Sequence, residues 1–379
     1  MSLVWIRFTY TIVHLPTITR SKLIASGCIH AMCSNSGNPE LLLQHPLDEA
    51  QAAKTRNCTC CQGPAVLVIR RVNGYCLSCY QETCRHKFRA TIGKSKKIIP
   101  GDRVLVWLSP PLGAVAAVAL LEESRQDTLH KKLQFDFEYA IIDGQQESID
   151  LANFGSSAQL HRVTSPVDTP PQRNSTLRMA HQAIEALKAV IQFAKANSFN
   201  KVFTCETGGD LAQQMLISVA LGRGCQLPDI TGLSVERDGV TLLRPLREFS
   251  DEEIEKYLFS GDLPVPVTPK LPAGIQRLTR DFVNGLQAEF PSTVPTIWRT
   301  ADKVSALSTN SVTCDLCGYC FWDGSLTPPT DVKSTSVKEV YGAVDALRIS
   351  AQLSTTLKLE STDSVAKRCY SCRQINVVQ

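Results

Sequence analysis

From Val104 to Leu121 the chain carries no charge, and the pattern changes character midway. Val104 to Leu108 is a short unbroken apolar run of strand length. Ser109-Pro110-Pro111-Leu112-Gly113 is a turn signal, and the Ala/Leu-rich continuation to Leu121 reads as a buried helix. Strand, turn and helix in that order open a nucleotide-binding βα unit. The stretch is also about long enough to cross a bilayer. Against a span stand the central Pro-Pro pair, the many small alanines, and the charges of Arg103, Glu122 and Glu123 close against its ends.

Beyond it, to about Glu255, strand-like and helix-like segments alternate, which predicts an α/β fold with a parallel sheet and helices on both faces. Phe135 to Asp143 is a second strand. Ser175 to Asn197 is an amphipathic helix whose apolar face carries Leu177, Ile184, Leu187, Ile191 and Phe193. Lys201 to Cys205 is a third strand, followed by Gly208-Gly209-Asp210 and a helix from Leu211 to Leu221. Val240 to Leu243 with Arg244-Pro245-Leu246 reads as the last strand, and Ser250 with Glu253 forms a capping box for a helix from Asp251 to Phe259. Leu258 to Pro272 reads as a Pro-rich linker, Ile275 to Phe290 as a helix, and Phe290 to Pro295 as a turn. Ligand sites in such sheets lie at strand ends. Asp143, Cys205 and Asp210 stand there, where turn and cap roles compete with chemistry.

The chain of 379 residues, 43% apolar and 20% charged, has the composition of a soluble globular protein, and its net charge of +4 makes any nucleic-acid surface a local matter. Residues 1–50 differ from the rest: the apolar start is broken by Arg7, His14 and Pro16, which argues against a signal peptide. We read 1–50 as a disordered or spurious extension, with Met32 as a sensible alternative start, and Leu41 to Lys54 as acidic and helix-prone.

The cysteines change the picture. Most of the fifteen fall in C-x-x-C pairs, which favours metal thiolates in a reducing compartment over disulfides. Cys58/Cys61 and Cys76/Cys79 flank the strand-like Ala65 to Arg71 and a turn at Asn73-Gly74, the arrangement of a zinc ribbon. Cys60 could replace Cys61, and Cys84 is left over. Cys314/Cys317 and Cys369/Cys372 bracket a polar insertion, 325–364, and can still meet because long loops are cheap to close; Cys320 is an alternative ligand there. Zinc and an iron–sulfur cluster both accept four cysteines, so the metal stays open. After Cys79 comes a basic run, Arg85, His86, Lys87, Arg89, Lys94, Lys96 and Lys97, interleaved with Tyr80 and Phe88 and opposed locally by Glu82 alone. It is either a solvated helix face or a surface for RNA phosphate.

The turn at Ser109 suits phosphate poorly. A phosphate cradle offers successive backbone N–H groups at a helix N-terminus, with glycines admitting the anion. Pro110 and Pro111 have none to offer.

Taken together, Cys58-x-x-Cys61 with Ala65 to Arg70, Tyr75 to Tyr80, and His86-Lys87-Phe88-Arg89-Ala90-x-x-Gly93 resemble the cytoplasmic tRNA 2-thiolation proteins of the subunit 2 type. Leu221 to Gly224, Arg244 to Arg247, Ile275 to Thr279, Phe290 to Val294 and Cys369 to Cys372 continue the likeness from about Met32 to the C-terminus. That family is a non-catalytic branch of the PP-loop tRNA thiolase superfamily. Active members have a Ser-Gly-Gly-x-Asp-Ser loop that binds ATP for adenylation of the base. The matching positions here, Ser109, Pro110, Pro111, Leu112, Gly113 and Ala114, lack both glycines, the Asp and the final Ser.

The resemblance implies a PP-loop domain over 99–262, a metal-binding module with the basic run over 51–98, and a helical segment with a second cysteine module over 263–379. It implies a cytoplasmic, non-catalytic subunit required for 2-thiolation of wobble uridine. The partners would be the catalytic PP-loop subunit 1, tRNA and a ubiquitin-like sulfur-carrier pathway, without a membrane. No catalytic residue and no ATP are expected in this chain, with tRNA contacts from Arg85, Lys87, Arg89, Lys94, Lys96 and Lys97. The rival is an ATP-dependent thiolase acting itself, with a cysteine such as Cys205 as nucleophile. A zinc-ribbon nucleic-acid binder unrelated to modification would not need the long α/β middle.

Overall fold

In the computed structural model the described residues are 56–126, 134–143, 149–165, 174–267, 270–304, 312–321 and 367–375. The expectations for 1–50 and for the insertion 325–364 lie outside them. The first two strands, β1 (Leu67–Ile69) and β2 (Asn73–Tyr75), form an antiparallel hairpin with Leu67 opposite Tyr75 and Ile69 opposite Asn73. The expected Asn73-Gly74 turn is therefore strand. The chain reverses one step earlier, at Arg70 and Arg71, both with positive φ. Gly74 is needed for closeness instead, because a Cβ there would press on Ala65 and on the Asn57 carbonyl. Helix α1 (Leu77–Ser95) follows and contains most of the basic run.

β3 (Arg103–Trp107) leads into α2 (Pro111–Gln126). The helix starts at Pro111, so the expected turn is shorter than its sequence signal; proline's fixed φ and missing N–H suit a first helical position. Ala114 to Leu121 are all buried, which explains a helix apolar on every side. Among the described residues no helix is long and apolar enough to cross a membrane.

β4 (Asp136–Ile142), β5 (Leu160–Val163), α3 (Ser175–Ala196), β6 (Lys201–Thr204), α4 (Gly208–Ala220), α5 (Leu227–Thr231), β7 (Ser234–Arg237) and β8 (Val240–Leu243) complete the α/β unit. The six strands stand in the order β5-β4-β3-β6-β8-β7, parallel except for the antiparallel β7–β8 pair. Alternate residues of β3 serve opposite faces, as a strand requires. Val104 and Val106 join α1, α2 and α6 (Asp251–Ser260) on one side, while Leu105 packs with Ala186, Val190 and Ala194 of α3 on the other. Neither β5 nor β7 was expected from the sequence, and β8 ends at Leu243, where the expected continuation through Arg244-Pro245-Leu246 is a turn closed by the Arg247 N–H on the Arg244 carbonyl.

Gly208-Gly209-Asp210 is also corrected. Those residues are the first turn of α4, capped by Thr207. The expected linker begins only after α6. Past it, α7 (Ile275–Glu289) and α8 (Thr293–Val304) pack Val283, Val294 and Trp298 on Leu211 and Ala212 of α4. Val294 and Pro295, expected in a turn, belong to α8, because Pro295 falls in its first turn, where a missing N–H costs nothing. The short hairpin β9 (Val312–Thr313) and β10 (Cys320–Phe321) and the helix α9 (Tyr370–Ile375) close the described chain.

Candidate metal centres and the loop after the first sheet strand

Cys58 lies in a tight knuckle, its N–H bonded to the Gly63 carbonyl at 2.7 Å and its carbonyl accepting the Gln62 N–H at 2.9 Å. Cys76 is the N-cap of α1 and Cys79 sits in its first turn, where the positive end of the helix dipole favours thiolates. Among the described residues, Cys58, Cys61, Cys76 and Cys79 bring their sulfurs within 4.8 Å of one another, with Cys61 and Cys76 at 3.8 Å. Cys60 is exposed and Cys84 is buried in the core that α6 shares, and neither is in the group. Backbone N–H groups of Cys61, Cys76 and Cys60 aimed at the Cys58 sulfur pull that thiol down to about 6.

The distant pairs also meet. Cys314, Cys317, Cys369 and Cys372 are all buried, with sulfurs within 4.8 Å of one another and Cys317 and Cys369 at 3.9 Å. The Cys369 N–H donates to the Cys314 sulfur at 3.3 Å, and the Asp315 N–H to the Lys367 carbonyl at 2.8 Å, which ties the two knuckles. Cys320 is in β10, paired with Thr313, outside the group. The Cys369 thiol is held below its ordinary value by hydrogen bonds from Cys317 and Cys372, with the Gln226 amide adding a third.

Arg237 of β7 fixes the second module to the sheet edge. Its guanidinium donates to the Cys317 carbonyl and stacks on the Tyr319 ring at 3.8 Å. Gly318 has positive φ, and a Cβ there would crowd Arg237. These anchors were not found in the sequence, since nothing local distinguishes Arg237 from a surface arginine.

The first module is fixed in the same manner. Tyr80 donates to the Glu253 carbonyl at 2.8 Å, Lys256 to the Val68 carbonyl at 2.6 Å, and Arg70 pairs with Glu253 at 3.0 Å.

The basic run is less free than its sequence suggests. Lys87 pairs with Glu253 at 2.7 Å and lies 4.3 Å from the centre of the Phe249 ring. Arg85 meets Glu82 at 2.8 Å and Glu123 at 3.8 Å, and Arg89 meets Glu82 at 3.3 Å. Glu123, Glu248, Glu253 and Glu236 oppose the run from other elements, an opposition that a local count of charges misses. Lys94 and Lys97 pair with Glu248 and Glu236 but keep side chains 68% and 44% exposed. Lys96 is exposed beside them, at the left-handed C-cap of α1.

At the carboxyl ends of the strands, β3 and β6 are neighbours from which the chain runs to opposite sides of the sheet. The loop from Ser109 begins with a cis Ser109–Pro110 bond. A Cβ at Gly113 would overlap the Cys205 carbonyl oxygen, so the first turn of α2 lies directly on the backbone after β6. Ala114 is fully buried behind it. Cys205 itself is shut from solvent, and burial pushes its thiol far up.

The N-terminus of α4 is occupied by the protein's own carboxylates. Asp210 accepts the Thr207 N–H at 3.0 Å, the Thr207 hydroxyl also reaches Asp251, and a Cβ at Gly209 would strike Asp251. Asp143, the third strand-end residue, is exposed and 3.7 Å from Arg162.

Residues 274–374 match the family model described as Cytoplasmic tRNA 2-thiolation protein 2, a span that takes in the second cysteine group. Cytoplasmic tRNA 2-thiolation protein 2-B of Xenopus laevis is 28% identical, with 83% of this chain aligned to 80% of that protein. Cytoplasmic tRNA 2-thiolation protein 2 of Danio rerio is 29% identical, over 66% of this chain and 67% of that protein. Among solved structures, the U34-tRNA thiolase NcsA from Methanococcus maripaludis with its [4Fe-4S] cluster superposes with a TM-score of 0.56 at 14% identity. It covers 82% of this chain and 99% of that one, a likeness of fold.

Proposed function

We infer that this chain is a member of the family of cytoplasmic tRNA 2-thiolation protein 2 and serves cytosolic tRNA 2-thiolation as a non-catalytic subunit. The observation that carries the second half of this reading is the state of the strand-end loop in a thiolase fold. Pro110 and Pro111 withhold the amides a phosphate needs, and the Cys205 backbone fills the space beside Gly113. Cys205 is a poor nucleophile, since a buried thiol held far above its ordinary value supplies little thiolate.

The chain's contribution is then structural and recognitive. It pairs with a catalytic PP-loop subunit and offers Lys94, Lys96 and Lys97, the exposed end of the basic run, to tRNA phosphate. Lys87 and Arg85 tie α1 to Glu253 and Glu123, while Arg85 and Arg89 also pair with Glu82 inside α1.

Each cysteine group holds one zinc ion in this reading. Four thiolates at about 2.3 Å from a single ion stand ~3.8 Å apart in a tetrahedron; Cys61 and Cys76 are 3.8 Å apart and Cys317 and Cys369 3.9 Å, in groups whose sulfurs all lie within 4.8 Å. A cluster with one thiolate on each of several irons would spread the sulfurs further. Cys58, Cys61, Cys76 and Cys79 would hold one ion; Cys314, Cys317, Cys369 and Cys372 the other. Bound zinc would supply folding energy, since it cross-links segments that are far apart in the chain.

The test is mass spectrometry of nucleosides from cytosolic tRNA in cells lacking this chain. The 2-thiolated wobble uridine should vanish and return with wild type. It should return equally with a Ser109→Ala/Pro111→Ala variant, which alters the loop and spares Gly113. Unchanged thiolation in the deletion refutes the role. Loss of rescue by a folded loop variant, together with stoichiometric ATP binding by the isolated chain, establishes an enzyme instead.

A further inference from the structure

We propose that the groove between α3 and α4, beneath the second cysteine module, binds a carboxylate carried on a short apolar body, with Arg223 receiving the charge. The site is separate from the loop at Ser109, and its assignment does not depend on the thiolation reading.

The groove has a volume of about 170 Å³ and is partly open to solvent. Ala183 and Leu187 of α3 line it together with Ile217 of α4 and Leu221 just past that helix, with Gln214, Gln276 and Arg223 as polar groups on its wall. Arg223 is only 4% exposed. Its Nε and Nη2 are closed to solvent and reach no acceptor among the described residues. The other buried arginines each have acceptors: Arg237 donates to Cys317, Arg244 to Gly232 and Asp229 although its Nε also lacks a hydrogen-bond partner, and Arg247 to Thr231 and Asp302.

A guanidinium cannot shed its proton at any accessible pH, so burial without an anion is costly and Arg223 has no way to relieve it. The occupant must bring the negative charge. A planar carboxylate matches the guanidinium fork with two parallel hydrogen bonds. A phosphate dianion would bring more charge than one arginine offsets into a largely apolar space. The size is set by comparison: a dry cavity of roughly 150 Å³ holds a benzene ring, so this groove takes a body of five or six carbons. The amide of Gln214 can donate to or accept from a polar group on that body. A free short-chain acid and the C-terminal residue of a peptide share this chemistry.

The second cysteine group is a source of negative charge at the same groove, since Cys317 lines it. That gives the test its control. The metal-loaded full chain is titrated calorimetrically with 4-methylpentanoate, with the tripeptide Gly-Gly-Leu and with inorganic phosphate, each at millimolar concentration. One equivalent of 4-methylpentanoate or tripeptide should bind saturably, and the tighter of the two identifies the source. Arg223→Gln should weaken binding by roughly tenfold or more and leave metal content unchanged. Ala183→Leu, which fills the groove and leaves Arg223 in place, should weaken it as well; this variant decides the matter if Arg223→Gln fails to fold. Absence of saturable binding by either carboxylate overturns the proposal. So does phosphate binding as tightly, or a loss of metal from Arg223→Gln in a chain that binds no acid, which would assign the arginine to the thiolates.

Discussion

Thr207 at the start of α4 faces two carboxyl groups with one hydroxyl proton. Its oxygen lies 3.1 Å from Asp210 Oδ2 and also touches Asp251 Oδ1. One proton cannot serve both, so the arrangement is relieved when a carboxyl keeps its own. Burial first, and the Asp251 charge second, push the Asp210 carboxyl from 3.8 up to about 7, and burial raises Asp251 as well. The folded state therefore holds a proton that the unfolded chain has released above about pH 4. The stability this carboxyl contributes is fully present below 3.8 and is lost as pH rises through about 7. A rise of about three pH units at 1.36 kcal/mol each amounts to about 4 kcal/mol, a large share of a domain's usual margin.

Asp210→Asn tests this directly, because an amide keeps an acceptor for the Thr207 N–H and carries no charge. Urea unfolding of wild type and variant is compared from pH 4 to pH 8. Metal uptake by the cysteines also depends on pH, but both proteins carry the same groups and the difference removes it. The variant should match wild type near pH 4 and exceed it by several kcal/mol at pH 8. A difference that stays flat across the range refutes the shared-proton account.

Three further outcomes are expected. Cys76→Ser/Cys79→Ser and Cys369→Ser/Cys372→Ser should each release one equivalent of metal, read by atomic spectrometry, and lower soluble yield; zinc retained by either variant removes the corresponding site. Gly113→Ala should destabilise the chain by about 3 kcal/mol or more through overpacking against the Cys205 backbone, seen as a lower denaturation midpoint, and an unchanged midpoint would mean that α2 does not seal the loop. Charge reversal at Lys94, Lys96 and Lys97 should flatten the salt dependence of tRNA binding by the assembled complex by about one unit of log–log slope per lost phosphate contact, while an unchanged slope would leave these lysines as a solvated helix end.

What the sequence disclosed and what it hid follow one physical division. The α3 helix, the β3–turn–α2 unit and both cysteine groups carry their information within a few residues, as periodicity, turn chemistry or ligand spacing, and they appear in the structure close to where they were expected. β5 and β7 have four residues each and sit at the two edges of the sheet, too short for alternation to show. The basic run shows the opposite case. Its local charge balance is strongly positive, yet Glu253 is 166 residues from Lys87, and only folding brings them to 2.7 Å. The same holds for Arg237, Asp251 and Arg223, whose roles depend on what surrounds them in space. Glu253 makes the point most fully: as third residue of α6 it completes the Ser250 capping box, and the same carboxylate accepts Lys87 and Arg70 of the first cysteine module. Sequence announced the cap. The docking that one carboxylate adds to it requires two more partners, and these bind the first module to the α/β unit more specifically than an apolar contact could, because each cation would otherwise leave Glu253 nearly buried without its full charge balance.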